Sequence, residues 1–205
     1  MVVGERFAWG HLAKTAGDAT LGLFRLFPEL IEFSDDATEP VKHARFAQRS
    51  ELVAGKILAL NIRRLPAWVL SYATDQAANG RTPPWSAEQM SGTAVPDQKL
   101  ASWLDEGIHV EHWFRVEHLA DDFLAFVSAF TPITRARRMR VLVRARRRVN
   151  ARRYDHEVSR WLSSDQIAAL YERNPVWASI ERDVYGTLPR STSASAQLGE
   201  DRAPR

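Results

Sequence analysis

Residues Phe7 to Phe27 read FAWGHLAKTAGDATLGLFRLF, and the reading of this stretch decides the fold. It opens on Phe7, Ala8 and Trp9, which suit a short apolar strand. A tight turn follows, carrying Lys14, Thr15, Ala16, Gly17 and Asp18. Ala16, Thr20, Leu23, Phe24 and Phe27 then recur at i, i+4, i+7, i+8 and i+11, one face of a helix that Pro28 stops. A strand feeding a helix through a turn with Lys and Gly builds an anion site. The free N–H groups of the first helical turn point at the ligand, and the helix dipole favours negative charge there. Lysine adds a full positive charge. An ordinary strand–helix unit with a surface lysine fits the same residues, so this stretch alone leaves both readings open.

A second unit of the same kind lies further on. Residues 56 to 62, KILALNI, form a short apolar run that suits a parallel strand buried on both faces. It ends in Arg63 and Arg64, and Pro66 sits where a first helical position should be. Leu65, Val69 and Tyr72 share the face of the helix that follows. Arg63 stands at the carboxyl end of its strand, where open α/β sheets bind ligands. Ser71 comes eight residues later, about two helical turns on. It also reads as an ordinary solvated helix serine.

Composition bounds the rest. The chain has 205 residues, enough for one α/β domain with a real core, and 45% of them are apolar, as in a globular protein. There is no cysteine, which removes disulfides and thiolate metal sites. No run approaches the roughly 18 apolar residues of a membrane span. The N-terminus, MVVGERFAWG, lacks the charged and long apolar regions of a signal peptide, so a cytoplasmic location is the expectation. Net charge is only +3, but between Phe123 and Tyr154 there are ten Arg and no Asp or Glu. That run fits a nucleic-acid patch, a membrane-surface patch, a clamp for a phosphate ligand or a solvated basic face. Aromatic residues for base stacking are absent from it until Tyr154, which weighs against single-strand binding.

The remaining segments read as connections and helices. Residues 79 to 99, rich in Gly, Pro, Ser and Thr, read as a long loop in which Trp85 either closes over a substrate or anchors the loop. Ile108 to Arg115 alternates as a strand does. His109 and His112 then point to opposite faces, which disfavours a metal site. A helix is expected from Glu117. Ser163 and Gln166 have capping-box spacing, and Asn174, Pro175 and Gly186 bracket a last helix as N-cap, first residue and terminator. A single domain over 1–188 followed by a disordered tail over 189–205 is the expected organisation.

The two basic turns and the late arginines together resemble the sulfotransferases. HLAKTAGDAT resembles the family's 5′-phosphosulfate loop, a Pro-Lys-Thr-Gly or Pro-Lys-Thr-Ala-Gly stretch followed by Thr and Ser. NIRRLPAWVLSYA resembles its 3′-phosphate segment, which ends a strand with Arg and places a Ser eight residues later. KHARF holds His43 twenty residues before Arg63, a distance at which the family often carries a catalytic His. WFRVEHLADDF and the basic stretch ending RVNARRYDH also resemble family segments, so the resemblance runs from about residue 6 to 186. It departs at Ala13, where the family has Pro, and at Asp18, which replaces a hydroxyl donor with a carboxylate. The second departure leaves a catalytically degenerate member open.

This resemblance implies an α/β fold of three α/β/α layers around a central parallel sheet, with P-loop NTPase-like topology. It implies a transferase that moves a sulfuryl group from 3′-phosphoadenosine 5′-phosphosulfate to a hydroxyl or amine of a small-molecule, glycan or lipid acceptor, with adenosine 3′,5′-bisphosphate as product and no metal. Lys14 would neutralise the bridging oxygen, and Thr15, Ala16, Gly17 and Thr20 would cradle the 5′ end. Arg63 and Ser71 would hold the 3′-phosphate, Arg152 or Arg153 would close over it, and His43 would take the acceptor proton. Glu39 and Asp36 compete for that last role. On this reading most of Arg135 to Arg148 is a solvated or partner-facing surface, with peripheral contact to an anionic surface as one use and nucleic acid not expected. Two rivals bear on function. A P-loop kinase needs Gly before its Lys, whereas Gly17 follows Lys14. A non-enzymatic basic binding protein would act through the arginine run.

Overall fold

The computed structural model describes residues 1–35, 44–104, 107–147 and 154–188. His43, Glu39, Asp36, Arg152, Arg153 and the tail from 189 lie outside the described residues, and with them the base, the closing arginines and the expected disorder. Five strands form one sheet: β1 (Val2–Val3), β2 (Phe7–Trp9), β3 (Phe33–Ser34), β4 (Ile57–Ile62) and β5 (His112–Arg115). Their order is β3-β1-β2-β4-β5. β2, β4 and β5 run parallel, with Trp9 opposite Ala59 and Ile62 opposite Arg115. β1 is antiparallel to both β2 and β3. The protein is thus α/β with a mixed sheet, where an all-parallel one was expected. The cause is local: Gly4 to Arg6 turn β1 straight back into β2 as a hairpin, and a hairpin joins only antiparallel strands.

The helices are α1 (Gly17–Phe24), α2 (Ser50–Val53), α3 (Leu65–Ala78), α4 (Ala87–Ser91), α5 (Val95–Leu104), α6 (Leu119–Ser128), α7 (Arg135–Ala145), α8 (Ser164–Arg173) and α9 (Pro175–Tyr185). None among the described residues is long and apolar enough to cross a membrane. They cover both faces of the sheet, as strand alternation requires. Ala8, Leu58, Leu60 and Ile62 face one core with Trp68, Trp103 and Trp177. Phe7, Trp9 and Ala59 face the other with Phe24, Phe114, Phe123 and Phe126. There Phe7 stacks on Phe24 at 5.6 Å and Phe123 meets Phe24 edge-on at 5.0 Å. Fully burying each such ring contributes about 1.5–3 kcal/mol.

Two sequence expectations differ from the structure. Residues 79–99 hold α4 and the start of α5, where a long loop was expected. Ser86 caps α4, its Oγ accepting from Gln89 N at 3.2 Å, while Ser86 N donates to Gln89 Oε1 at 2.9 Å. Asn174 stands at the N-cap position of α9, as expected, but its side chain makes no cap hydrogen bond to that helix. It is fully buried, and its side chain donates to Thr93 O and Leu170 O and accepts from Asp97 N. Asp97 of α5 does the capping instead, accepting from Val176 N and Trp177 N at 2.9 and 2.7 Å. Elsewhere the punctuation read from the sequence is present: the Ser163–Gln166 capping box opens α8, and Gly186 closes α9 at φ 77°.

Candidate functional site

β2 and β4 are neighbours and parallel, so the turns leaving their carboxyl ends emerge on the same edge of the sheet. Between them lies a cleft of about 1850 Å³ lined by Lys14, Ala16, Gly17, Arg63, Ser71, and others. Five of the residues singled out from two separate stretches therefore meet in one cavity.

The first turn is held rigidly. Lys14 and Ala16 both take left-handed backbone conformations, φ 66° and 61°, with Thr15 between them. Such conformations cost roughly 1–3 kcal/mol in non-glycine residues and persist only where the surroundings enforce them. Trp68 of α3 does so by donating its Nε1–H to Ala13 O at 2.9 Å, and Thr15 Oγ1 donates to Leu12 O at 2.6 Å. Gly17 admits the His11 ring: a Cβ at residue 17 would land on the imidazole. His11 in turn stacks on Trp9 at 5.8 Å. Ala16, the N-cap of α1, has no side-chain cap hydrogen bond.

The threonine hydroxyls are turned inward, unlike the expectation that they cradle a ligand. Thr15 and Thr20 are fully buried and do not line the cleft. Thr20 Oγ1 donates to Ala16 O at 3.2 Å and accepts from Asn61 Nδ2 at 2.8 Å. Asn61 Oδ1 accepts from Trp9 Nε1 at 2.7 Å. This buried chain ties β2, β4 and α1 together, because each polar group inside must find a partner. Lys14, Ala16, Gly17, Asp18 and Ala19 are the residues of this segment after Ala13 that line the cleft.

The second turn separates its two arginines. Arg64 Nη1 donates to Glu181 Oε1 at 3.0 Å and to Thr187 O at 2.6 Å, and its guanidinium lies 4.0 Å from the Tyr185 ring centre. Glu181 is fully buried and also accepts from Leu65 N at 2.9 Å and Tyr171 Oη at 2.8 Å. Burial pushes the Glu181 carboxyl up from its ordinary value, against the opposing pull of these donors. Burial, with the carboxylate beside it, pushes the Tyr171 hydroxyl up as well. Arg63 has no carboxylate partner among the described residues and faces the cleft, while its carbonyl accepts from Trp177 Nε1 at 3.0 Å.

α3 supplies a wall. Trp68, Ser71, Tyr72, Asp75 and Gln76 fall at i, i+3, i+4, i+7 and i+8, a single helical face, and the last four line the cleft. Asp75 Oδ1 meets Lys14 Nζ at 3.0 Å. Asp18, singled out from the sequence as a departure in the first turn, brings a carboxylate to the cleft at the start of α1. Other cleft residues were not read as site residues: His11 and His156 bring imidazoles, and Arg146 and Arg147 bring cations from the end of α7. Most of Arg135 to Arg148 was expected to be a solvated or partner-facing surface; Arg146 and Arg147 of that run line the cleft. Helical phase offered a signal for Asp75, one turn beyond Ser71. The acid-free arginine run fitted a phosphate clamp, among other uses, but did not mark which of its residues; Arg146 and Arg147 reach the cleft because α7 packs along α1, with Arg144 against Gly22. Comparison with protein-family models, curated proteins and solved structures finds no match for this chain.

Proposed function

We propose that this chain is a sulfotransferase of P-loop-like topology, using 3′-phosphoadenosine 5′-phosphosulfate as donor. One observation carries the reading: Lys14 and Arg63, at the ends of two neighbouring parallel strands, line one cleft together with Ser71. A donor with phosphate groups on the 3′ and 5′ positions of one ribose calls for two cationic positions in one cavity, and Lys14 and Arg63 supply them. Its volume exceeds the roughly 300–1,000 Å³ of a single small-molecule pocket, which leaves room for an acceptor.

The donor supplies the sulfuryl group. Transfer breaks its S–O bond to the 5′-phosphate, forms a bond to the acceptor oxygen or nitrogen, and releases the acceptor proton. The chain's residues bind and orient. Lys14 and the amides around Ala16 and Gly17 take the anionic 5′ end, where positioned donors stabilise charge on the leaving phosphate. Arg63 takes the 3′-phosphate through its planar fork, with Ser71 beside it. Arg146 and Arg147 add positive charge, and Arg152 or Arg153 is the proposed closing group on the 3′ side on the strength of the resemblance alone. His43 is the proposed base on the strength of the resemblance alone.

A second reading rests on Asp18. Its carboxylate lines the cleft in the first turn of α1, where a helix favours an anion of its own. A carboxylate there competes with the sulfate end of a donor, and the protein then binds the nucleotide without turning it over. Titration with adenosine 3′,5′-bisphosphate, followed by sulfuryl transfer to a panel of hydroxyl and amine acceptors, separates the two. Binding with transfer supports the enzyme, binding without transfer the second reading, and no binding sinks both.

A further inference from the structure

We propose that α7 is a docking helix for an anionic lipid surface. The helix is built inside out for a solvated element. Its inner side buries Val141 alone and spends two arginines on the protein: Arg137 pairs with Glu29 and lies over the Phe27 ring, and Arg144 packs against Gly22. Its outer side carries an apolar ridge. Ala136, Met139 and Val143 fall at i, i+3 and i+7, and Met139 and Val143 are 53% and 52% exposed. Leu26 of the neighbouring turn joins Met139 and Val143 in an apolar groove of about 340 Å³.

Cations flank the ridge on both sides. At 100° per residue, Arg135 and Arg146 fall on one side of it and Arg140 and Arg147 on the other. All four are exposed and none has a carboxylate partner among the described residues. Not one Asp or Glu occurs between Phe123 and Tyr154. An apolar centre between arginine rims is the arrangement a helix needs to lie in a headgroup layer: the ridge enters the acyl boundary while the guanidinium groups reach out to lipid phosphates. The charge selects an anionic leaflet. A nucleic-acid backbone would satisfy the arginines and leave Met139 and Val143 in water, and α7 offers no aromatic ring for a base to stack on. Docking does not rest on the sulfuryl-transfer reading. It has a consequence for it, because Arg147 lines both the groove and the large cleft and so sets the cleft beside the headgroups.

The test is co-sedimentation of the full chain with vesicles of phosphatidylcholine alone or mixed with phosphatidylserine, alongside titration of a labelled double-stranded oligonucleotide. The wild type should pellet with the mixed vesicles and not with phosphatidylcholine alone. Arg135→Gln/Arg140→Gln should lower partitioning on the order of tenfold or more, given roughly fivefold per arginine near an anionic surface. Met139→Ser/Val143→Ser leaves the charge unchanged and should still lower it several-fold. Both variants alter only exposed side chains, and an unchanged melting temperature verifies their fold. No binding to the mixed vesicles overturns the proposal. So does full vesicle binding by the serine variant, or tighter binding to the oligonucleotide than to the vesicles.

Discussion

Lys14 Nζ and Asp75 Oδ1 form a 3.0 Å ion pair that joins the first basic turn to α3 inside the cleft. An anion arriving at Lys14 must compete with that carboxylate, which is itself repelled by the anion. Asp75→Asn removes both costs. An ion pair of this partly exposed kind is worth about 1 kcal/mol or less, so adenosine 3′,5′-bisphosphate should bind several-fold more tightly to the variant. Calorimetric titration checks this. Weaker binding to Asp75→Asn would mean that the carboxylate positions Lys14 for the ligand.

Gly17 and His11 compete for one volume. Gly17→Ala should cost about 1–3 kcal/mol in urea unfolding, because its Cβ would meet the imidazole and the loop must shift. The test lies in the double variant. Gly17→Ala added to His11→Ala should cost much less than it does in the wild type, since residues in contact are not additive. Equal costs in both backgrounds would show that the glycine serves something other than the ring.

Glu181 links pH to stability. Burial raises its carboxyl from the ordinary value of 4.5, so the folded state holds this proton more tightly than the unfolded chain. Its contribution is fully present below the ordinary value and is lost as pH rises through the folded-state value. Wild type should therefore lose stability relative to Glu181→Gln as pH climbs above 4.5, and level off once the folded carboxyl is ionised. Urea unfolding of both proteins across this range checks the sign. A difference that moves in favour of wild type with rising pH would show that the Arg64, Leu65 and Tyr171 donors outweigh burial.

The sequence made both strand–turn–helix units readable because their signals are local. KILALNI is a short apolar run that suits a strand covered on both faces, and Pro66 marks where its helix starts. The hairpin that makes the sheet mixed was harder to see, since β1 is two residues long and its partners lie on both sides of it. The α4–α5 region was obscured by composition: Gly, Pro and Ser suggest a loop, yet Ser86 and Gln89 form a capping box there. Thr15 and Thr20 show a further limit. A hydroxyl beside a basic turn looks like a ligand group until the buried Asn61 claims one and the Leu12 carbonyl the other. Which of Arg63 and Arg64 faces the cleft was settled by Glu181, more than a hundred residues away.

That division of labour carries the central claim. Arg64→Ala strips a buried carboxylate of its cation and should cost about 2–4 kcal/mol of stability, the usual loss for a broken buried pair reduced for the partial exposure of Arg64. Arg63→Ala should leave stability nearly unchanged and remove the ligand site. The most direct measurement is the thermal shift produced by adenosine 3′,5′-bisphosphate in wild type and in Arg63→Ala, with ATP and NAD as controls, since a ligand that binds only the folded state raises the melting temperature. The account predicts a shift for the bisphosphate that exceeds both controls in wild type and is mostly lost in Arg63→Ala. A wild-type shift that survives the substitution unchanged, or no shift in wild type, would contradict it.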